Sequence, residues 1–541
     1  MDRRWYAFYH KDVPKTIAYP RISLKELFNR NAEHNPEKPY LIFGDDALSY
    51  EVCNAMVRRL ANGLLKLGVR KGDRVALLMP NIPQYPLSLM ACYKIGAIAV
   101  PTNPLYTIPE LARQHASSRS ETVIAMAPFA DKVLQVIKQG NSTVKHIISV
   151  QAPDHRIELP GAVDYDELLR DSSDHEPDIA VAPEDTAMLM YTGGTTGISK
   201  GCVLSHANLV AMLVQTGLWV SSWLPADRVR TVAAIPLYHV YGMNCNINLT
   251  LYGAGTMVLV PQPTPEKILE AINRHEPNFW AAVPAMIQGL LKRPELADSK
   301  IAGIKFVLCG GAPLPIEVMH KFEDVSGTRI LEGYGLSETS NILTANPIEH
   351  RKQGSVGVPW PDVDIRIVDV ETGTKDMPTG ETGEIIAKGP QIMSGYWNNP
   401  EETSKALIDG WLYTGDVGHM DEDGYLFITD RKKDMILCSG FNVYPREIDE
   451  VLYTHPNVLE ACAIGIPDEK RGETVKAYVV VKPGKVMTAE DIIDYCKERL
   501  APYKVPKVVE FINELPRTSV GKPDRKALRA MEEGKRQSLA A

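Results

Sequence analysis

The sequence lacks the cysteine patterns on which zinc sites and disulfide frameworks depend. Its 541 residues include eight cysteines, which are scattered and form neither a CxxC pair nor a Cys/His cluster with zinc-ligand spacing. Scattered single thiols of this kind are typical of a reducing compartment. We therefore expect reduced cysteines and a cytoplasmic protein.

Long apolar runs are also missing. No stretch approaches the ~20 uninterrupted apolar residues of a membrane-spanning helix, and Lys94 interrupts the apolar run 87–100. The N-terminal stretch MDRRWYAFYHKDVPK has no apolar centre of a signal peptide. We expect no transmembrane segment. Peripheral membrane association stays open, as does the choice between a monomer and a homodimer.

An excess of positive charge is the third absence. Lysine and arginine total 59 against 67 aspartates and glutamates, which gives a net charge of −8. This balance argues against broad electrostatic binding of nucleic acid, so we expect no nucleic-acid partner. The hydrophobic share of 44% is that of a globular protein, and the length allows two to four folding units.

From about residue 70, short β-branched runs alternate with amphipathic segments. Strands are predicted, for example, at 75–79, 122–125 and 306–309, and helices at 84–95 and 265–275. Such alternation indicates βαβ units and therefore an α/β fold with sheets of mainly parallel type. Ligands of such sheets bind at the carboxyl ends of the strands.

The pattern changes after about residue 350. Strands at 365–370, 383–388 and 425–430 are separated by turns rich in Gly, Asp and Pro, which indicates an antiparallel β subdomain. We predict a large N-terminal domain, 1–430, whose β-rich part is 350–430. We also predict a small, mobile α+β domain, 431–541, with a fraying end at 531–541.

A glycine-rich loop is the clearest candidate for chemistry. Residues 191–201 read YTGGTTGISKG, between an apolar strand and an amphipathic segment at 205–215. Glycines let backbone N–H groups crowd around an anion, and the hydroxyls and Lys200 add donors. The loop is not a Walker A motif, because Lys200 is not followed by Ser or Thr. It predicts a triphosphate cradle, with a solvated flexible turn as the alternative.

Together with further motifs, this loop resembles the signature of the adenylate-forming superfamily, which contains acyl-CoA synthetases, luciferases and nonribosomal peptide adenylation domains. The motifs stand in that family's order and span nearly the whole chain: PLYHVYG (236–242), GGAP (310–313), GYGLSET (333–339), GWLYTGD (410–416), DRKKDMILCSGFNVYP (430–445) and LPRTSVGK (515–522). The fifth motif and Gly193 look most like bacterial fatty-acyl-CoA ligases. Ser199, where many members carry Pro, is a departure at the edge of the loop.

The resemblance implies a reaction in two halves. A carboxylic acid and ATP first give an acyl-adenylate and pyrophosphate, and coenzyme A then displaces AMP to give a thioester. ATP, Mg²⁺, coenzyme A and a small carboxylic acid are therefore the implied cofactors and partners.

The resemblance also implies which residues contact the phosphates. Glu338 is the expected Mg²⁺ ligand, since a hard cation prefers carboxylate oxygens. Thr339 is a candidate for the phosphate oxygens. The other expected phosphate contacts belong to the glycine-rich loop: Thr192, Gly193, Gly194, Thr195, Thr196, Gly197 and Lys200.

A second group is implied for the nucleoside. Tyr334 has a flat face beside Gly335 for stacking on adenine, and Asp416 and Arg431 are the implied ribose contacts. Gly310, Gly311 and Ala312 have small side chains or none. We expect them to form a surface against which a planar base or the acyl group can lie closely.

The remaining implied roles concern catalysis and domain movement. Lys522 is the implied lysine of the adenylation step, and His239 is expected to border the acyl carboxylate. Because Lys522 lies in the small domain, that domain must close one way for adenylation and another for thiolation. Lys433 is the implied hinge, and Gly440 would line the pantetheine tunnel.

The acyl pocket is predicted from the same loops. No lysine or arginine is available there for a second carboxylate, and no aspartate for an ammonium group. A medium- or long-chain fatty acid is therefore favoured. An aryl, alicyclic, short-chain or branched acid stays open, as do luciferase-like oxidation, amino-acid adenylation and a non-enzymatic nucleotide sensor. The candidate wall residues are Tyr238, Val240, Tyr241, Met243, Val283, Met286, Gly310, Gly335 and Leu336.

Overall fold

A computed structural model describes residues 3–140, 142–152, 156–192, 199–224, 226–438, 441–468, 471–518 and 523–540. The strands before residue 360 are β1 (Pro39–Phe43), β2 (Asp46–Ser49), β3 (Arg74–Leu78), β4 (Ile98–Pro101), β5 (Thr122–Met126), β6 (His146–Val150), β7 (Val163–Asp164), β8 (Thr186–Tyr191), β9 (Gly201–Ser205), β10 (Arg230–Ala233), β11 (Thr256–Leu259), β12 (Phe279–Ala282), β13 (Phe306–Cys309), β14 (Ile330–Tyr334), β15 (Thr344–Ala345) and β16 (Val358–Pro359).

The later strands are β17 (Asp364–Val368), β18 (Gly383–Lys388), β19 (Leu407–Ile408), β20 (Trp411–Met420), β21 (Leu426–Arg431), β22 (Ile436–Cys438), β23 (Phe441–Val443), β24 (Val458–Asp468), β25 (Gly472–Val481) and β26 (Val508–Phe511).

Helices alternate with these strands in the large N-terminal part. The α-helices are α1 (Leu24–His34), α2 (Tyr50–Lys66), α3 (Gln84–Ile95), α4 (Ile108–Ser118), α5 (Ala127–Lys138), α6 (Tyr165–Arg170), α7 (His206–Ser221), α8 (Val240–Gly242), α9 (Leu249–Tyr252), α10 (Pro265–His275), α11 (Pro284–Leu291), α12 (Ile316–Ser326), α13 (Pro400–Ala406), α14 (Pro445–Tyr453), α15 (Ala489–Lys497) and α16 (Arg525–Ala540). A π-helical stretch, Met243–Asn248, joins α8 to α9.

Two large sheets build the N-terminal part. One has the order β7-β6-β5-β3-β4-β8-β9 and is parallel except for the β8–β9 pair. The other has the order β16-β15-β14-β13-β12-β10-β11-β1-β2 and is parallel from β1 to β14. Its edges are antiparallel, and β1 comes from a segment in which the sequence pattern predicts no strand. The predicted α/β class with parallel-type sheets is confirmed.

Two antiparallel sheets follow. The strands β17, β18, β20 and β19 form one of them, with β21 paired to β20, as predicted for the β-rich region. The last sheet has the order β23-β22-β25-β24, with β26 parallel to β25, and carries α14, α15 and α16. The division at residue 430 into two domains stays a prediction.

The helices begin where the sequence offers caps. Ser23 and Glu26 form a reciprocal capping box at α1, and Thr264 caps α10, whose first residue is Pro265. One expectation fails, because α7 is buried on most sides rather than amphipathic. The last helix, α16, runs to Ala540, and the fraying expected from residue 531 stays a prediction.

Burial of the cysteines agrees with the expectation of reduced thiols. All eight are free, and each one is buried in the interior. Over the part of the chain that the structure describes, no helix combines the length and the apolar character needed to cross a membrane.

Candidate active site

Tyr334, Asp416 and Arg431, three of the predicted nucleoside contacts, meet at one place. The Tyr334 hydroxyl donates to Asp416 Oδ2 at 2.7 Å, and Arg431 Nε lies 3.2 Å from Asp416 Oδ1. Asp416 is only 4% exposed, and its carboxylate raises the pKa of the Arg431 guanidinium. The cluster joins the carboxyl end of β14 to β20 and β21.

The strand that carries Asp416 is shaped locally by its neighbours. Thr414 Oγ1 donates to the Ile385 carbonyl and accepts from the Asp416 N–H. Gly415, between them, has a φ of +70°, a left-handed conformation that favours glycine. Asp416 is placed directly opposite Arg431 in the β20–β21 register.

The glycine wall follows β13 and β14. A Cβ added to Gly310 would lie 3.3 Å from the Gly333 carbonyl oxygen, and Gly311 has a φ of +80°. A Cβ on Gly335 would stand 1.6 Å from the Asn341 carbonyl oxygen. Gly335 is therefore required by the close approach of its own loop, whatever ligand lies beside it. The predicted roles of these glycines and of Ala312 in binding stay predictions.

Glu338 lies in a short 3-10 turn, Ser337–Thr339. Its Oε1 accepts a hydrogen bond from the Tyr396 hydroxyl at 2.8 Å. Thr339 is fully buried, and its hydroxyl binds within the loop, accepting from the Leu336 N–H and donating to backbone carbonyls. Thr339 therefore braces the loop in this structure, and its contact with phosphate stays a prediction. The partly buried Glu338 carboxylate is a ligand type that suits Mg²⁺.

Lys200 lies beside the same tyrosine, Tyr396. Its ammonium pairs with Glu402 and lies 5.0 Å from the centroid of the Tyr396 ring. The ends of the glycine-rich loop are tied together, since the Thr192 N–H donates to the Lys200 carbonyl at 3.0 Å. Seven predicted site residues lie outside the described residues: Gly193, Gly194, Thr195, Thr196, Gly197, Gly440 and Lys522.

His239 begins α8 as its N-cap. Its Nδ1 accepts from the Tyr241 N–H at 3.3 Å, and the residue is half-buried. Tyr241 in turn donates to the Leu308 carbonyl at 2.6 Å, which ties this turn to the strand that precedes the glycine wall. The imidazole is thus held near the predicted acyl pocket, and its role toward a carboxylate stays a prediction.

Lys433 is exposed in the turn that follows β21. Hydrogen bonds join residues that precede Lys433 to a residue that follows it. Arg446 donates from Nη1 to the Ile428 carbonyl at 2.7 Å, and its backbone N–H donates to Asp430 Oδ2 at 2.7 Å. A rotation at Lys433 would break both bonds, because the acceptors precede Lys433 and Arg446 follows it.

Sequence reasoning missed three residues of this region: Tyr396, Glu402 and Arg446. Tyr396 and Glu402 belong to SGYWNNPEE, residues 394–402, which contains no glycine-rich loop and no cluster of acids. The aromatic pair after Gly395 is the one signal that marks this stretch. It becomes informative only when the fold brings it beside Glu338.

Comparison with known proteins gives matches to two family models, two relatives and one solved structure. The model of the family described as AMP-binding enzyme matches residues 28–397, and that of the AMP-binding enzyme C-terminal domain matches 447–522. The chain is 39% identical to a long-chain-fatty-acid–CoA ligase of Bacillus subtilis (strain 168), over 97% of this chain and 98% of that protein. It is 37% identical to the protein of the same name from Yersinia pestis, over 98% of both. A solved anthranilate CoA ligase in complex with anthranoyl-AMP has a TM-score of 0.86 and 26% identity, covering 96% of this chain and 98% of that one.

Proposed function

Since this chain belongs to the AMP-binding enzyme family, we propose that it activates a long-chain fatty acid as its coenzyme A thioester. The enzyme is an ATP-dependent, AMP-forming acid–thiol ligase. In its first half-reaction a carboxylate oxygen bonds to the α-phosphorus of ATP and pyrophosphate leaves. In the second, the sulfur of coenzyme A bonds to the acyl carbon and AMP leaves.

The nucleotide half of the proposal is carried by the Tyr334–Asp416–Arg431 cluster. Asp416 offers acceptor oxygens for the ribose hydroxyls, Arg431 holds that carboxylate in place, and Tyr334 offers a ring face to adenine. Glu338 would hold Mg²⁺, which would neutralise phosphate charge when bound. Lys200 would contact the triphosphate, and Lys522 would bring a point charge to the reacting oxygens.

The acyl half is supported by uncharged side chains that belong to one hydrophobic core. Tyr241 is buried in that core, and Val283, Met286, Leu336 and Tyr334 pack against it as partly buried side chains. Every one of these side chains is uncharged, so a second charged group on the acid would find no partner among them. A hydrophobic tail suits these residues.

The eight free, buried cysteines fit a reducing compartment. We place the enzyme in the cytoplasm on this ground.

An acid panel tests the proposal. We expect acid-dependent exchange of labelled pyrophosphate into ATP, with the highest kcat/KM for saturated and unsaturated acids of long chain, and thioester only when coenzyme A is added. Anthranilate, benzoate and ferulate are included as aryl acids, because one of the structurally similar proteins is an anthranilate CoA ligase. A higher kcat/KM for an aryl acid than for palmitate would overturn the fatty-acid assignment.

A further inference from the structure

Two groups from distant parts of the chain, Glu338 and Lys200, converge on Tyr396. Its hydroxyl donates to Glu338 Oε1 at 2.8 Å. Its ring face lies 5.0 Å from Lys200 Nζ, and Lys200 is paired at the same time with Glu402. One side chain therefore touches both the predicted metal carboxylate and the predicted triphosphate lysine.

The backbone around Tyr396 is anchored to both of these partners. The Val203 N–H donates to the Gly395 carbonyl at 2.9 Å, and the Trp397 N–H donates to the Gly201 carbonyl at 2.8 Å. On the other side, the Met393 N–H donates to the Glu338 carbonyl at 2.8 Å. The tyrosine is thus fixed against the end of the glycine-rich loop and against the Glu338 turn.

The hydrogen bond to Glu338 has a definite consequence for the carboxylate. When one carboxylate oxygen accepts from a fixed hydroxyl, the other oxygen points in a fixed direction. A phenol can donate and an ionised carboxylate can only accept, so the Tyr396 hydroxyl is the donor of this bond. Outer partners of metal ligands typically change metal affinity by about 10- to 100-fold.

The ring face has a separate consequence for Lys200. An ammonium group over an aromatic face is attracted by the ring quadrupole. Lys200 also lowers the pKa of the Glu402 carboxylate to about 2, so Glu402 is charged and competes with phosphate for the lysine. The attraction to the ring does not depend on Glu402, so it would remain if phosphate took the place of that carboxylate.

We propose that Tyr396 is a positioning residue that orients Glu338 toward Mg²⁺ through its hydroxyl and holds Lys200 at the triphosphate through its ring. The inference rests on the proposed function, because Glu338 and Lys200 carry their roles only in nucleotide binding. The proposal gives the hydroxyl and the ring of Tyr396 different roles, so each role is tested by its own variant.

The test measures binding to the full-length protein rather than turnover. Mn²⁺ serves as the metal probe by electron paramagnetic resonance, with α,β-methylene-ATP as the nucleotide. We expect Tyr396→Phe to weaken Mn²⁺ binding to the nucleotide complex about tenfold. In EDTA, which removes divalent metal, the nucleotide affinity of this variant should stay within about twofold of the wild-type value, because the ring remains. Tyr396→Leu should also weaken binding in EDTA, by about threefold.

Two controls separate positioning from general disruption. Tyr9→Phe removes another tyrosine hydroxyl, which donates to the Pro359 carbonyl at 2.6 Å, and should leave both affinities unchanged. In a Glu338→Gln background, Tyr396→Phe should have no further effect on Mn²⁺ affinity, since both act through the same carboxylate. Thermal unfolding midpoints verify that the variants fold.

Other results would contradict either the positioning role of Tyr396 or the proposed function. If Tyr396→Phe binds Mn²⁺ as tightly as the wild type, or if its effect adds fully to that of Glu338→Gln, the positioning role is overturned. If the wild-type protein fails to bind the Mn²⁺–nucleotide complex at all, the proposed function falls, and the inference falls with it.

Discussion

Asp416 and Arg431 face each other on neighbouring antiparallel strands, with 3.2 Å between Asp416 Oδ1 and Arg431 Nε. The second oxygen of the same carboxylate accepts from the Tyr334 hydroxyl. The carboxylate is therefore held from both sides before any ligand arrives. Such preorganisation would lower the ordering cost of binding the ribose diol that we propose for this site.

Asp416→Asn should weaken ATP binding about 10- to 100-fold, because a hydrogen bond to a charged acceptor is lost. It should also reduce the preference for ATP over 2′-deoxy-ATP, which isothermal titration of both nucleotides would measure. Asp376→Asn is the matched control, since Asp376 pairs with Arg366 at an exposed position. Unaltered discrimination between the two nucleotides in Asp416→Asn would contradict the ribose role.

Gly335→Ala tests the close approach within the Glu338 loop. A Cβ there would meet the Asn341 carbonyl at 1.6 Å, so the turn that carries Glu338 must move. We expect kcat/KM for ATP to fall about 100-fold, as for a displacement near 1 Å in a catalytic site. Gly303→Ala is the control, because nothing lies within 4 Å of an added Cβ there. Activity within a few-fold of wild type in Gly335→Ala would count against the geometry.

Local patterns predicted much of the fold. The strands β13 and β18 have the predicted bounds, because short buried strands are bounded by turn residues that the sequence displays. The strand β1 was not predicted, although it forms a local antiparallel hairpin with β2. Its other partner, β11, lies more than 200 residues later, and pairing over such a distance leaves no local pattern.

The candidate site was predictable only where a motif marks it. Tyr334 and Asp416 lie in stretches whose composition is unusual, and the structure brings them into contact. Tyr396 and Glu402 were missed because their importance comes from neighbours that the fold supplies. A lone tyrosine or glutamate carries no chemical signal until its partners are known.

Lys522→Ala should separate the half-reactions. The rate of adenylate formation, measured through the release of pyrophosphate, should fall about 100- to 1,000-fold when the point charge at the reacting oxygens is lost. Thioester formation from chemically prepared acyl-adenylate should stay within a few-fold of wild type. Lys526→Ala removes an exposed lysine four residues later and should change neither rate. Equal losses in both half-reactions would refute the assignment of Lys522 to adenylation.

Lys433→Pro addresses the hinge. Proline fixes φ, so it should impede a rotation that must also break the Arg446 bonds to Ile428 and Asp430. We expect thiolation to slow roughly tenfold or more while adenylation is retained. Lys433→Ala keeps the backbone free and serves as the control. Rapid-quench measurement of each half-reaction checks this, and an unchanged thiolation rate in the proline variant would speak against rotation at this residue.

The stability of the large N-terminal part should depend on pH through His115, which α4 carries. The imidazole is fully buried, neither ring nitrogen has a hydrogen-bond partner among the described residues, and burial lowers the pKa of His115 to about 4. Below pH 6.5 the unfolded chain therefore binds a proton that the folded chain does not. Unfolding becomes easier by about 1.4 kcal/mol per pH unit for this group until the pH approaches 4.

His115→Leu should remove this dependence. The thermal midpoint of the variant relative to wild type should rise by about two degrees between pH 6.5 and pH 5, where the difference in unfolding free energy grows by about 2 kcal/mol. His206, whose pKa burial also lowers to about 4, remains in both proteins and cancels in the comparison. His175→Leu replaces an exposed side chain and serves as the matched control, measured at the same pH values. A constant offset between His115→Leu and wild type across this range would mean that the buried imidazole gains its proton without unfolding.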